Sequence, residues 1–381
     1  MKIRQATIPL SCVRTPDVDA CAALAPDIAL VFGSIDHFRQ PGFAPMLKSV
    51  FPGAQLVGCS TAGEIFNDGV HDGTASVTAI RFKDARYRVA TAAIDGPADS
   101  FGVGARIAAK LVDDGLTNIL LFAPGVDING SALIEGIQSV CSKSVSISGG
   151  LAGDGGAFKE TFIISNDGLS NRDVVAVGFY GDKVRFGHGS FGGWRPFGPR
   201  RKVTRAEGNI LYQLDGAPAL EVYKRYLGEY AKDLPASGLL FPFSMIAKDA
   251  TDVGLIRTIL GVNDADGSLI LAGDIIKDGY LQLMLASTDA LVDGAQSAAE
   301  AAQSVLNQDQ PALAILVSCV GRKLVMGARV DEEIDAVREV FKAGSVITGF
   351  YSHGEISPLL KGPECKLHNQ TMTITCLYEA E

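Results

Sequence analysis

The chain has 381 residues, 47% of them hydrophobic, with 34 Lys and Arg against 43 Asp and Glu for a net charge of −9. Roughly one domain per 150 residues predicts two or three domains, and the acidity excludes a general binder of nucleic acid or anionic membrane, which would present a basic face. No apolar run approaches the roughly 20 residues of a spanning helix, and MKIRQATIPLSCVRTPD lacks the apolar core of a signal peptide, so the sequence reads as cytoplasmic.

In chain order, DIALVFGS (27–34) reads as a short buried strand, GFAPMLKSVF (42–51) as a helix and AQLVGCS (54–60) as the next strand. The chain then passes through Thr61-Ala62-Gly63-Glu64, small residues closed by an acid, into the alternating strand GTASVTAIRF (73–82). After an amphipathic helix at 100–115 the same order returns: strand 118–125, helix 131–142, strand 145–150, turn LAGDGG, strand 173–181. It returns once more as strand 311–319, helix 331–344, strand 345–352, turn HGEISP and strand 371–379. Segment 217–287 resembles the unit less well, with a helix at 217–231 and an expected hairpin at 268–287 around AGDIIKDG. These patterns predict an α/β fold with mixed sheets, built from duplicated β-α-β-turn-β units in two pseudo-related halves.

Glycine-rich bends at the carboxyl ends of strands are where open α/β sheets place ligands. Bare amides and an adjacent carboxylate can hold polar groups there, which makes Glu64, Asp154 and Glu355 the leading ligand-contact acids, with Asp274 on a surface turn. Cys59 and Ser60 precede the first turn, Tyr351 precedes the third and His353 opens it. His353 stands where the other turns have Ala, so its ring is expected to project into the cavity. His37 and His71 read as solvated turn residues, and His368 begins a strand.

The seven cysteines are odd in number and show no C-x-x-C, which fits reduced thiols. Gly58-Cys59-Ser60-Thr61-Ala62 departs from a nucleophile elbow at its last residue and does not open a helix. A Cys59- or Ser60-dependent hydrolase or transferase therefore stays an alternative that requires a nearby base. FGVGARI lacks the third glycine of a dinucleotide fingerprint, and there is no Walker A string, H-E-x-x-H or zinc-type spacing. Residues 187–216 are the most unusual stretch. They hold His188, the only tryptophan Trp194, Phe191, Phe197, Arg195, Arg200 and Arg201, and read either as a rigid aromatic linker or as a wall of the ligand site.

VGCSTAGEI (57–65), ISGGLAGDG (147–155), GGWRPFGPRRKVTRAEGNILYQLDG (192–216), ITGFYSHGEISP (347–358) and LHNQTMTITC (367–376) together resemble the FIST-domain family. The resemblance implies a lead-in at 1–25, an N-terminal domain at 26–215 and a C-terminal domain at 216–381. It implies a bacterial sensory module, not an enzyme. Such a module binds a small ligand, with amino acids suggested, and signals through a separate partner such as a histidine kinase or a cyclic-di-GMP enzyme. Some members are haem proteins that sense nitric oxide and regulate a kinase. Here His188 or His353 would ligate the iron and Arg195, Arg200 and Arg201 would pair the propionates, with no covalent attachment because C-x-x-C-H is absent.

Overall fold

A computed structural model describes residues 1–11, 14–249, 251–304, 312–359 and 364–380. Cys12, and Pro311 at the start of a predicted strand, lie outside them.

The α/β class and the repeated unit are as the sequence implies. The unit occurs three times, over residues 2–81, 86–180, and 184–191 continued by 288–379. In each copy two neighbouring parallel strands follow the order the pattern predicts: Ile28–Ser34 beside Gln55–Thr61, Leu116–Ala123 beside Ser146–Leu151, and Leu313–Cys319 beside Val346–Ser352. Antiparallel strands flank them to make a mixed sheet. One glycine per copy sets how close the parallel strands lie. A Cβ on Gly58, Gly149 or Gly349 would fall 1.8, 1.9 or 1.9 Å from the carbonyl oxygen of Val31, Leu121 or Leu316.

The three sheets exchange edges in a ring. The hairpin Glu64–Phe66/Gly69–His71 leaves the first unit and completes the third unit's sheet. Ile163–Ser165/Gly168–Ser170 completes the first sheet, and Gly354–Pro358/Cys365–His368 the second. The inner sheet faces share one core. At its heart Phe32, Phe122 and Phe350, one from each unit, make mutual ring contacts at 4.8–5.9 Å between centroids. The outer faces carry helices. Ser100–Leu111 and Gly130–Val140 cross where a Cβ on Gly104 would lie 2.2 Å from the Leu133 carbonyl and one on Gly136 2.1 Å from that of Phe101.

Residues 195–285 form a separate, wholly antiparallel sheet inserted into the third unit, with its own core around Tyr223, Phe243 and Leu281. The hairpin expected at 268–287 is corrected. Ser268–Leu271 pairs with Ile210–Leu214 and Ile259–Asn263, whereas Tyr280–Leu285 pairs with Arg195–Glu207 and Phe243–Ile246. The two strands share a sheet without touching, because Ala272 turns away to donate its amide to Thr258 O.

Candidate functional site

The three bends meet on the axis of the ring and hold one another through main chain. Gly153 N donates to Ser60 O and Gly155 N to Thr61 O. Ala62 N donates to Tyr351 O, Tyr351 N to Gly63 O, and His353 N to Leu151 O. Gly153 is required here, since a Cβ would come within 2.6 Å of the Ala62 nitrogen.

The acids of the bends face inward. Glu64 is fully buried. Its Oε1 accepts from the Thr61 hydroxyl at 2.5 Å and its Oε2 from the amide and hydroxyl of Thr74. Glu355 repeats this arrangement with Ser352 and with the amide and hydroxyl of Thr371. Burial pushes both carboxyls up, Glu355 to about 7, against the lowering effect of those bonds. Both carboxylates are thus occupied in closing their own turns.

Asp154 does something else. It accepts the amides of Phe158, Lys159 and Glu160 at 2.7–3.1 Å, which pins the loop after the second bend. Its Oδ1 also lies 3.1 Å from His353 Nε2, within ion-pair reach though off the line of a hydrogen bond. Burial raises the Asp154 carboxyl, but His353 and the Lys159 and Glu160 amides outweigh it and hold it well below the usual carboxylate range. Phe158 takes a left-handed φ of 53° under this grip, and its ring stacks on His353 at 4.1 Å.

That stack walls a cleft of about 510 Å³ where the second unit, the third bend and the inserted sheet come together. The second unit supplies Gly125, Asp127 and Asn129, just ahead of the helix Gly130–Val140. Asn129 caps that helix by accepting the Ala132 amide, and its Nδ2 donates to Asp274 Oδ1 across the cleft. From the inserted sheet come Asn209, Leu260 and Leu271–Gly273. Behind Gly273 lies the buried guanidinium of Arg257, bonded to the carbonyls of Asp274, Ile256 and Leu367. Burial lowers its pKa to about 10, partly offset by Asp274, so it remains a cation at neutral pH. The corresponding loops of the other two units are filled. In the first, His37 is buried between Ser34 and Ile8 O; in the third, Arg322 pairs with Glu333, and Lys323 reaches Ala62 O and Asp72.

The remaining candidates lie apart from the cleft. Cys59 is enclosed in the shared core, with its thiol pushed well up by burial. Both hydrogen bonds of the Ser60 hydroxyl run to main chain, at Gly153 O and Phe162 N. Tyr351 is buried, with its hydroxyl on Glu333 of the Arg322 ion pair. Trp194 packs against Ile256, Met284, Leu291 and Met326, and its Nε1 donates to Gln370 O. It anchors the inserted sheet to the ring and does not wall the cleft. Arg195 starts that sheet's long strand. His37 is fully buried, which corrects the expectation of a solvated ring, whereas His71 sits beside Asp68 on a surface hairpin.

The residues do not fit haem. His188 sits between two sheets beside Asn118 and Thr375, with its pKa lowered to about 4 by burial. The nitrogens of His353 face Gly125 O and Asp154, so neither offers iron a lone pair without breaking those contacts. Arg195, Arg200 and Arg201 are absent from the cleft wall. Among the described residues no helix is long and apolar enough to cross a membrane.

Sequence reasoning missed Phe158, Gly125 and Asn209. Asn129 was within reach as an N-cap two residues before the predicted helix. Nothing in AFKE marks Phe158, whose placement depends on Asp154.

Comparison with known proteins finds the FIST N domain over residues 27–217 and the FIST C domain over 219–358. An uncharacterised protein of Methanocaldococcus jannaschii is 26% identical, with 81% of this chain and 67% of that protein covered. An uncharacterised protein of Mycobacterium tuberculosis is 25% identical over 88% of this chain and 87% of its own. A solved cyanuric acid hydrolase from A. caulinodans shares 10% identity at a TM-score of 0.40 over 100% of this chain and 99% of that one, too slight a likeness to bear on chemistry.

Proposed function

Since this chain belongs to the FIST family, whose domains serve sensory signal transduction, we propose that it binds a small polar ligand in the cleft between the ring and the inserted sheet. The ligand is an amino acid or a molecule of similar size, and the output passes to a separate partner, with a histidine kinase or a cyclic-di-GMP enzyme the first classes to test. The observation that carries this reading is the composition of the cleft wall, which joins both FIST parts through His353, Phe158, Asn129 and Ala272. Polar groups in that wall, the Asp127 carboxylate and the side chains of Asn129, Asn209 and His353, suit a compact polar guest better than an apolar one. Edge exchange welds the three ring sheets together. The body free to shift on binding is therefore the inserted sheet, which pairs no strand with them.

A thermal-shift panel of amino acids tests this reading. Ligand at a hundredfold excess over Kd stabilises the native state by about 2.7 kcal/mol. Ala98→Trp at the exposed mouth and Ala272→Phe within the cleft are expected to keep the unliganded melt and lose the shift. Shifts of equal size in both variants refute the site.

A further inference from the structure

The strand Arg195–Glu207 is unlike the rest of the molecule. It is 13 residues long, and only Val203 along it is fully buried. It carries five of the chain's 34 basic residues, Arg195, Arg200, Arg201, Lys202 and Arg205, and one of its 43 acidic residues, Glu207. The remainder of the chain therefore holds 29 basic residues against 42 acidic. At the strand's start Arg195 lies directly across from Leu285, and Phe197 follows two residues on, so the three share one face of the sheet. Phe197 and Leu285 are 42% and 46% exposed, although sheet neighbours Leu283 and Met284 are buried. A bulge between Phe197 and Arg201 takes Gly198–Arg200 out of the ladder, and all three are exposed.

We propose that this end of the inserted sheet is a docking surface for an acidic protein partner. The partner places an apolar side chain between Phe197 and Leu285 and its carboxylates against Arg195 and Arg200. An aromatic and an aliphatic side chain flanked by arginines is the composition of an interface anchor, with the arginine forks suited to bidentate carboxylate contacts. The charge balance selects the class of partner. The acidic surface elsewhere repels a long polyanion that would extend past the strand, whereas a compact acidic protein face need cover only the basic patch. The same sheet walls the ligand cleft through Asn209, Leu271 and Ala272, so cleft and docking surface belong to one body. The proposal draws on the sensory reading only for the existence of a partner, and its test needs no ligand.

The probe is a fluorescein-labelled peptide of glutamates around a single Trp-Leu pair, titrated with the full chain and followed by anisotropy. Binding is expected to weaken at least tenfold in Arg195→Glu/Arg200→Glu and in Phe197→Ser. It is expected to stay within twofold in Lys248→Glu/Lys277→Glu, an equal charge reversal at exposed sites of the same inserted segment. Melting curves confirm that each variant is folded. The proposal is overturned if the first two variants bind as the wild type does, if the control weakens equally, or if single-stranded DNA or anionic vesicles of matched charge bind as tightly as the peptide.

Discussion

Two carboxylates one bend apart in the repeat have opposite jobs because of what surrounds them. Asp154 is held ionised by three amides and His353, and its charge is what keeps Phe158 on the cleft wall. Asp154→Asn replaces one oxygen by a donor that faces those amides. It is expected to cost about 2 kcal/mol, and the amino acid response should go with it; a variant that retains the response separates this loop from binding. Glu355 is the reverse case, its carboxyl raised by burial to about 7. In the folded chain it keeps its proton to higher pH than in the unfolded chain, so wild-type stability falls as pH rises from about 4.5 to 7. Relative to Glu355→Gln, which cannot ionise, the wild type is expected to lose roughly 3 kcal/mol across that window. Urea unfolding of both proteins at several pH values measures the difference, and a difference that does not change with pH removes the assigned cause.

At the level of elements, the repeat was legible in the sequence for a simple reason. Each unit needs a buried parallel pair, and the first strand of each pair is a short apolar run, DIALVFGS, NILLFAPG and PALAILVSC. The glycine requirement was legible too, though for a different cause from the one the motif suggests. Gly58, Gly149 and Gly349 keep parallel strands close, and none of them lines the cleft. Gly149→Ala would drive a Cβ into Leu121 O and is expected to destabilise by about 3 kcal/mol, seen as a lower denaturation midpoint at unchanged slope. A loss under 1 kcal/mol would mean that the strands can part. What stayed hidden was partnership. EIFNDGVHDG reads locally as a turn-rich stretch, and nothing in it says that Ile65 pairs with Gly349, 284 residues away. His37 was misread for the same reason, since the Ile8 carbonyl that satisfies it arrives from a distant strand. The expected hairpin at 268–287 failed because two strands adjacent in sequence found other partners.

Across the whole molecule, the family boundary near residue 217 does not coincide with a division between sheets. Strand Val184–Phe191 and hairpin Glu64–His71 belong to the N-terminal part yet complete the third sheet, and strands Gly354–Pro358 and Cys365–His368 return the exchange to the second. Residues 1–216 and 217–381 expressed singly are expected to show no cooperative melt and to recover one when co-expressed. A sharp melt from either alone contradicts the interlock. The inserted sheet is held differently, through Trp194, Arg257 and the Asn129–Asp274 contact, without shared strands. On the proposed reading, that difference in attachment lets a guest in the cleft move one body against the other. Hydrogen–deuterium exchange, with and without the amino acid that gives the largest thermal shift, tests this most directly. The account predicts slowed exchange at residues 125–130, 155–160 and 271–273 together, and protection confined to other segments, or to the ring side alone, contradicts it.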